Sequence, residues 1–522
     1  MSTRNTRKQR THTYLAMLGL AAGCSPIEGG HEQPASPVEV GLQTAALTLA
    51  EIEDQCAEDP RVTNTLIDQD VCVGGELFFR DDFGGNGRTC GSCHPAGNNF
   101  TIDPPFIGTL PASDPLFVAE NIPALAQLEM PTLMRDFGLI LENPDDFADP
   151  TVKFVMRSVP HCFSLSTSDD PAAGDGTTTP PFDRTGWSGD GAPGDGEFRD
   201  FQTGAIIQHY TQSLNRIENS DFVLANDDEL DAINAFMTTI GRSNELDLST
   251  IVLSDSAADA GRTTFMSGAA RCNACHNNAG ANAGFAGGGN RNFNTGVENG
   301  RLAAVDAVAT FDDGGFGGQG LATPNFDTDG DTVNDAFGNG TFNTPPLIEA
   351  ADTGPFFHTN AAQTIEDAVA FYNTPEFNNS PAGTPNIALS TVETLNIARF
   401  LRVLNAEFNI QLAIYRAEGA LPIIIADKNA SRDLQQGLLG LALAEVDDAL
   451  EVLAGQSNLN VAAQADLADA QGFLQTASTH ASHTQRRNAA EDALAALAAA
   501  RGELSTTPEE LEFVMGQGTL MF

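Results

Sequence analysis

The sequence predicts a mainly α-helical protein in which two tandem parts repeat one plan and a further set of helices follows them. Apolar residues recur at helical spacing in both parts: Ile233, Phe236, Met237 and Ile240 in the first, and Leu395, Ile397, Phe400, Leu401 and Leu404 in the second. From about Glu407 onward the composition shifts to Ala, Leu, Gln and Glu. Because most of these residues are strong helix formers, this last region predicts a helical hairpin or small bundle.

The two parts share the same order of elements. A short helix that starts at a glycine, at residues 75–79 and 261–265, leads in each part to a pentapeptide with two Cys. Loops rich in Gly, Pro and Asp follow, and helices close each part, at 201–214 with 229–241 and at 364–371 with 391–404. We expect few strands.

Both pentapeptides have the pattern Cys-x-x-Cys-His: Cys90, Cys93 and His94 in the first, and Cys272, Cys275 and His276 in the second. In this pattern the two thiols bind a haem through thioether bonds and the adjacent His supplies an axial nitrogen to the iron. Half of a zinc site and a thioredoxin-like redox pair are the alternatives, but neither requires a His directly after the second Cys. The sequence therefore predicts two covalently bound c-type haems.

With these motifs placed, the predicted fold class is mainly α, with two tandem class I cytochrome c-type haem domains that have long loops, plus a C-terminal helical hairpin or bundle. We expect a lipoprotein signal peptide at residues 1–24 and a tether at 25–50. The first haem domain is expected at 51–250, the second at 251–406 and the C-terminal helical domain at 407–522.

The N-terminus is typical of an export signal. Basic residues precede an apolar segment at 14–22 that is too short to span a bilayer. Leu20-Ala-Ala-Gly-Cys24 resembles a bacterial lipobox, in which Cys24 becomes the lipidated first residue; ordinary secretory cleavage nearby is the alternative. Both interpretations place the protein outside the cytoplasm, and a lipid anchor would hold it to a membrane of the periplasm or cell envelope.

Three Cys remain after the haem thiols and the lipid site are set aside. Cys56 and Cys72 lie close in sequence and are expected to form a disulfide in an oxidising compartment. Cys162 is expected to remain a buried thiol.

The formal net charge of −44, from 70 acidic and 26 basic residues, excludes a nucleic-acid role, since such a surface repels phosphate backbones. The same field would attract a small cationic electron donor such as a cytochrome c. Adaptation to a salty exterior is the other explanation of the charge.

The sixth iron ligand decides what each haem does. The first part contains Met130, Met134 and Met156, so Met ligation stays open there. No Met lies between residues 276 and 512, which leaves His358 and Tyr372 as the downstream candidates for the second haem. Two upstream residues also remain open, Met237 and Met266.

Three segments of the second part resemble the signature of bacterial di-haem cytochrome c peroxidases and their MauG-like relatives: Thr344-Pro-Pro-Leu347, Thr353-Gly-Pro-Phe-Phe-His358 and Thr364-Ile-Glu-Asp-Ala-Val-Ala-Phe-Tyr372. The resemblance extends over about residues 75–404 and is looser in the first part. It implies a peroxidase-type oxidoreductase in which hydrogen peroxide binds at the first haem and electrons arrive through the second.

The resemblance also implies ligands for the second haem. The position of Tyr372 is usually Met in the peroxidases, whereas a Tyr there matches the MauG-like branch, in which it is the sixth ligand. A phenolate oxygen is a harder donor than a thioether, so it should favour ferric iron and lower the reduction potential. The alternative is a helix-face Tyr at the surface. His358 is expected to line the site or to bond a propionate.

For the first haem, Gln202 falls where the family has a distal Gln, while the acid that helps to cleave the O–O bond is not evident. Gln208 and His209, placed by the internal repeat near the position of Tyr372, are candidates to replace that acid or to cap the iron. A neutral core His is the alternative for His209. Trp187, the only Trp, lies where relatives hold an electron relay between the haems; a packed core Trp is the alternative.

A further motif alternates carboxylates around a glycine, with Asp327, Asp329, Asp331 and Asp335 as candidate calcium ligands. It lacks the terminal Glu of an EF-hand, and a solvated acidic turn is the alternative. Two other functions stay open for the whole chain: a di-haem electron-transfer cytochrome without peroxidase activity, and a MauG-like oxidation of a protein or organic substrate.

Overall fold

The computed structural model describes residues 48–143, 154–168, 183–189, 197–285, 288–300, 302–308, 313–316, 338, 340–455 and 458–522. These residues belong to one compact unit that spans Ala46–Phe522. The chain is mainly helical, with 55% helix and few strands, as the sequence predicts.

The helices follow one another in two series. The first series comprises α1 (Leu49–Glu58), α2 (Pro60–Thr63), α3 (Gln69–Arg80), α4 (Cys90–Cys93), α5 (Pro104–Ile107), α6 (Val118–Asn121), α7 (Pro131–Phe137), α8 (Phe198–His209) and α9 (Asp227–Met237). The second comprises α10 (Ser256–Phe265), α11 (Cys272–Cys275), α12 (Ala303–Asp306), α13 (Ile365–Phe371), α14 (Pro375–Asn378), α15 (Thr391–Asp427), α16 (Arg432–Ala454), α17 (Val461–Thr479) and α18 (His483–Gly502).

The described strands form two short antiparallel pairs, one in each part. Strand β1 (Leu139–Glu142) pairs with β2 (Val155–Ser158), and β3 (Asn292–Phe293) pairs with β4 (Phe342–Asn343). Each pair lies in the chain between the Cys-x-x-Cys helix and the helices that close the part. Both parts therefore have the same order of opening helix, Cys-x-x-Cys helix, strand pair and closing helices.

Each part is held together by a crossing of its opening and closing helices, since α3 packs on α9 and α10 packs on α15. Both closing helices begin at a capping box, formed by Asn226 with Glu229 in α9 and by Ser390 with Glu393 in α15. These caps satisfy backbone N–H groups that the first turn leaves without partners, so they fix where each closing helix starts.

The C-terminal helices form a four-helix arrangement in which α15 packs on α16, α16 on α17, α17 on α18, and α18 back on α15. Helix α15 runs without a break from Thr391 to Asp427. The boundary expected at residues 406–407 therefore falls inside a helix that belongs to both the second part and the C-terminal bundle. After α18 the chain returns to the first part, where Gly516 N–H donates to the Gly241 carbonyl and Arg61 donates to the Leu520 carbonyl.

The predicted disulfide is confirmed, since Cys56 in α1 is bonded to Cys72 in α3. It ties the N-terminal helix to the helix that precedes the first Cys-x-x-Cys-His segment. Cys162 is a buried free thiol, as expected.

Two carboxyls lie between the C-terminal bundle and the two repeated parts. Asp448 in α16 accepts a hydrogen bond from Asn99 Nδ2 at 3.2 Å, and Asp352 accepts from Asn405 at 2.9 Å and Asn409 at 2.6 Å. Burial raises the pKa of both carboxyls, and the charge of Asp352 raises that of Asp448 further, to about 9. Near neutral pH, these two carboxyls are therefore more protonated in the folded protein than in the unfolded chain.

We expect the Asp448→Asn variant to be more stable than the native chain at pH 8, by about 1 kcal/mol or more. A carboxyl with a raised folded pKa contributes stability below its unfolded pKa of about 4 and loses that contribution as pH rises towards the folded value. The amide removes this loss, so the stabilities should converge near pH 4 and diverge up to about pH 9. Urea unfolding midpoints across this range are the measurement.

The control is Asp447→Asn, the same substitution at the neighbouring exposed position. This control variant should leave the change of unfolding free energy with pH as it is in the native chain. If Asp448→Asn and the native chain show the same change of unfolding free energy with pH, the Asp448 carboxyl is solvated and ionised in the folded protein.

Candidate functional site

The second Cys-x-x-Cys-His segment is built on one turn of helix. Cys272 and Cys275 lie at the two ends of α11, so their sulfurs share one face. His276 follows at once, and its Nδ1 lies 3.0 Å from the carbonyl oxygen of Pro345. Because a carbonyl only accepts, Nδ1 carries the proton and Nε2 is left as the ligand atom. Burial lowers the pKa of His276 to about 4, so its imidazole is neutral and able to bind a metal.

Cys272, Cys275 and His276 line a cavity of about 270 Å3. Its wall is mainly apolar and includes Phe265, Phe293, Phe342, Phe356, Phe377, Ile397 and Leu401. Two thiols, a neutral imidazole and an apolar wall are what a covalently bound haem needs. The residues present therefore fit a haem here.

Tyr372 is the C-cap residue that follows α13, and it lines the same cavity. Its ring is packed edge-on against Phe377 and Phe371, with centroids 4.9 Å and 5.5 Å away. Its hydroxyl makes no hydrogen bond to any described residue, and burial raises the pKa of the phenol. The structure thus brings Tyr372 together with the second motif, although 96 residues separate it from His276 in sequence.

His358 and Trp187 also line this cavity. The Nε2 of His358 lies 2.7 Å from Glu298 Oε2, and its ring stacks on Phe342 at 4.0 Å. The indole N–H of Trp187 donates to the Ser158 carbonyl at 2.8 Å, and its ring lies edge-on to His358 at 6.4 Å. Trp187 belongs to the first part of the chain, but its side chain lines the cavity of the second site.

The first Cys-x-x-Cys-His segment has the same construction. Cys90 and Cys93 end the one-turn helix α4, and Nδ1 of His94 lies 2.8 Å from the Phe100 carbonyl oxygen. Burial lowers the pKa of His94 to about 4, so this imidazole is also neutral. The donor set again fits a haem. One contact has no counterpart in the second site among the described residues: Cys162 Sγ lies 3.2 Å from His94 Nδ1.

All four motif thiols are held neutral. Burial raises the pKa of Cys90 and Cys275 to about 11 and that of Cys93 and Cys272 to about 12. Tyr210 donates its hydroxyl to Cys90 Sγ at 3.0 Å, a contact that sequence reasoning missed.

Gln208 and His209 lie at the end of α8 and contact each other. Gln208 Nε2 is 2.9 Å from His209 Nε2, while Gln208 Oε1 accepts the Asn143 N–H at 2.7 Å. The buried Nδ1 of His209 has no hydrogen bond within the described part of the chain. Burial, followed by the charges of Arg88 and Arg216 and the ring of His94, lowers its pKa well below the usual value. His209 is thus a neutral imidazole close to the first motif.

Gln202 lies nearly two turns before Gln208 and His209 on α8. Its Nε2 donates to Asn234 Oδ1 and lies 4.0 Å from the sulfur of Met237, and both partners belong to α9. These contacts place Gln202 at the α8–α9 packing, with its Oε1 buried and without a partner among the described residues.

A buried ion pair lies beside these residues, and the sequence contains no signal for it. Arg88 donates to Glu129 Oε1 at 2.9 Å, and the Leu141 N–H donates to Glu129 Oε2 at 2.8 Å. Glu129 Oε1 is also 3.9 Å from His209 Nδ1. The pair brings a carboxylate next to the imidazole at the first site.

Other expected residues lie outside the described ranges: Cys24, Asp327, Asp329, Asp331 and Asp335. Within those ranges, no group of three or more His, Cys, Asp or Glu side chains is arranged to hold a metal ion. Nor does any helix there combine the length and apolar character needed to cross a membrane.

No family model and no curated protein matches the chain. Among solved structures it is similar to a chain of the hydrazine synthase of Kuenenia stuttgartiensis pressurised with 20 bar xenon. The sequence identity is 15% and the TM-score 0.31, over 71% of this chain and 99% of that one. A likeness this weak does not place the chain in a family, so membership of the di-haem peroxidase and MauG-like family remains a prediction.

Proposed function

We propose that this chain is an exported di-haem c-type oxidoreductase that reduces hydrogen peroxide at the first haem with electrons passed through the second. One observation supports this most. In each of the two Cys-x-x-Cys-His segments, the His is neutral and its Nδ1 is bonded to a backbone carbonyl, that of Phe100 or of Pro345. Two separate segments of one chain thus present the same donor set, and bound haem would supply one-electron redox chemistry at both.

The surroundings of the two motifs differ, which supports two different roles. At the second site, Tyr372 is the proposed sixth ligand because it lines the cavity and its hydroxyl has no hydrogen-bond partner among the described residues. Trp187 and His358 form wall there, and Trp187 is the proposed relay towards the first site. At the first site, Gln208 and His209 are the proposed residues on the peroxide side, with Gln202 behind them on α8.

The overall reaction takes two electrons and two protons to convert hydrogen peroxide to two water molecules. A small cationic protein such as a cytochrome c is the proposed electron donor, since the net charge of −44 would steer it to this surface. The proposed location is the periplasm or cell envelope, with a lipid anchor at Cys24, and calcium at the Asp327–Asp335 motif belongs to the same proposal.

The test is an optical and electron-spin-resonance titration of the purified ferric holoprotein with stoichiometric hydrogen peroxide. We expect a high-spin signal from the first haem that disappears with one equivalent of peroxide. Two low-spin haems that do not react with peroxide, before and after one-electron reduction, would contradict the proposal.

His209 favours a second candidate, an electron-transfer cytochrome in which both irons have six ligands. Its imidazole is neutral and lies close to His94, so it has the chemistry of an axial ligand. In that case the native protein is low-spin at the first site, and His209→Ala converts that site to high-spin. If His209→Ala leaves the spectrum unchanged, His209 is not an axial ligand.

A further inference from the structure

The candidate axial histidines of the two sites differ in the groups that contact Nδ1. At the first site, Nδ1 of His94 has two neighbours, the Phe100 carbonyl oxygen at 2.8 Å and the Cys162 sulfur at 3.2 Å. At the second site, Nδ1 of His276 is bonded to the Pro345 carbonyl oxygen at 3.0 Å, and the backbone of Gly280 also interacts with this imidazole by hydrogen bonding. No side-chain sulfur of the described residues occupies the place of Cys162 there.

The position of Cys162 is set by a segment that is held on both sides. Ser158 N–H donates to the His358 carbonyl at 2.6 Å, and the Val159 carbonyl accepts from Thr101 Oγ1 at 2.5 Å. Phe163 packs edge-on against Phe100 at 5.3 Å, which fixes the residue after Cys162 to the loop that carries the carbonyl bonded to His94. Cys162 itself is 3% exposed, so its sulfur has little freedom to turn away.

The chemistry of the contact follows from the tautomer. Because the Phe100 carbonyl only accepts, the proton sits on Nδ1, and the sulfur of Cys162 can only take a share of that same N–H as a weak acceptor. A second acceptor draws the proton further from the ring and makes the imidazole a stronger donor through Nε2. A stronger donor favours ferric over ferrous iron.

We propose that Cys162 is a positioning residue of the first haem site: its sulfur shares the Nδ1–H of His94 with the Phe100 carbonyl, orients the imidazole plane and lowers the reduction potential of the first haem. The inference rests on the proposed haem at this site. It does not depend on whether the protein reacts with peroxide.

The test uses the holoprotein and the variants Cys162→Val and Cys162→Ser. Valine replaces the thiol with two methyl groups and has no acceptor, while serine keeps an acceptor. We expect Cys162→Val to raise the midpoint potential of the first haem, with about a threefold or larger change in its reduction equilibrium constant. Cys162→Ser should restore part of this shift, and the second haem, held by His276, should stay unchanged as the internal control.

Spectroelectrochemical titration gives both potentials. A chain with Cys272→Ala and Cys275→Ala, which lacks the second attachment site, assigns them. The proposal would be overturned if the midpoint potentials of both haems shift equally, if the Val and Ser variants shift the first haem equally, or if no potential shifts. If Cys162→Val fails to bind haem, Cys162→Ala against Cys162→Ser makes the same comparison. A protein that ignores peroxide but shows the shift would refute the peroxidase function alone, whereas a native chain without haem at Cys90 and Cys93 would refute both.

Discussion

Replacing Tyr372 by methionine is expected to raise the midpoint potential of the proposed second haem by about 0.1 V or more, a fraction of the roughly 0.8 V range that axial ligands cover. Tyr372 lines the cavity that holds Cys272, Cys275 and His276, and its hydroxyl has no other partner among the described residues. A phenolate oxygen stabilises ferric iron, whereas a thioether sulfur stabilises ferrous iron. The flexible Met side chain can occupy the same space.

Two further variants separate ligation from packing. Tyr372→Phe keeps the ring contacts with Phe371 and Phe377 but removes the oxygen, so it should open the sixth position and convert the second haem to high-spin. Tyr415→Met, on α15 and outside the cavity wall, is the matched control and should leave both potentials unchanged. If Tyr372→Met has the native potential, Tyr372 is part of the wall and not a ligand.

The features that depend on local sequence could be predicted. The two Cys-x-x-Cys-His segments, the disulfide between Cys56 and Cys72 and the three helices after residue 430 follow from spacing and helix propensity. The start of the C-terminal domain could not be predicted in this way. Composition changes near Glu407, but helix formers continue on both sides of that point, and α15 continues through Pro422 to Asp427.

Buried ion pairs in this protein join residues far apart in sequence. Arg88 is paired with Glu129, 41 residues away, and Arg242 with Glu349, 107 residues away. A charged residue that will be buried looks in sequence like one at the surface, because its partner is brought to it only by the fold. Cys162 shows the same limit: its burial could be predicted, but its contact with His94 could not.

The Gly261→Ala variant is expected to lose about 3 kcal/mol or more of unfolding free energy, a large overpacking effect. Gly261 lies where α10 crosses α15, and a Cβ placed on it would lie 1.8 Å from the carbonyl oxygen of Asn396 and 2.3 Å from its carbonyl carbon. These are backbone atoms of a helix, so no side-chain rotation relieves the overlap and the two helices must separate. Gly74 faces the same situation in the first part, 1.9 Å from the Ala232 carbonyl oxygen of α9.

Gly440→Ala provides the control within α16, since a Cβ there meets no atom within 4 Å. An alanine in an open helix position should stabilise the protein by up to about 1 kcal/mol, so the two changes are expected to have opposite signs. Urea unfolding midpoints measure both.

Helix α10 leads directly to the Cys272–His276 segment, so its displacement should also disturb the spectrum of the second haem and leave that of the first unchanged. A Gly261→Ala protein with the native midpoint would mean that α10 and α15 do not cross in contact, and the shared architecture of the two repeated parts would then be wrong.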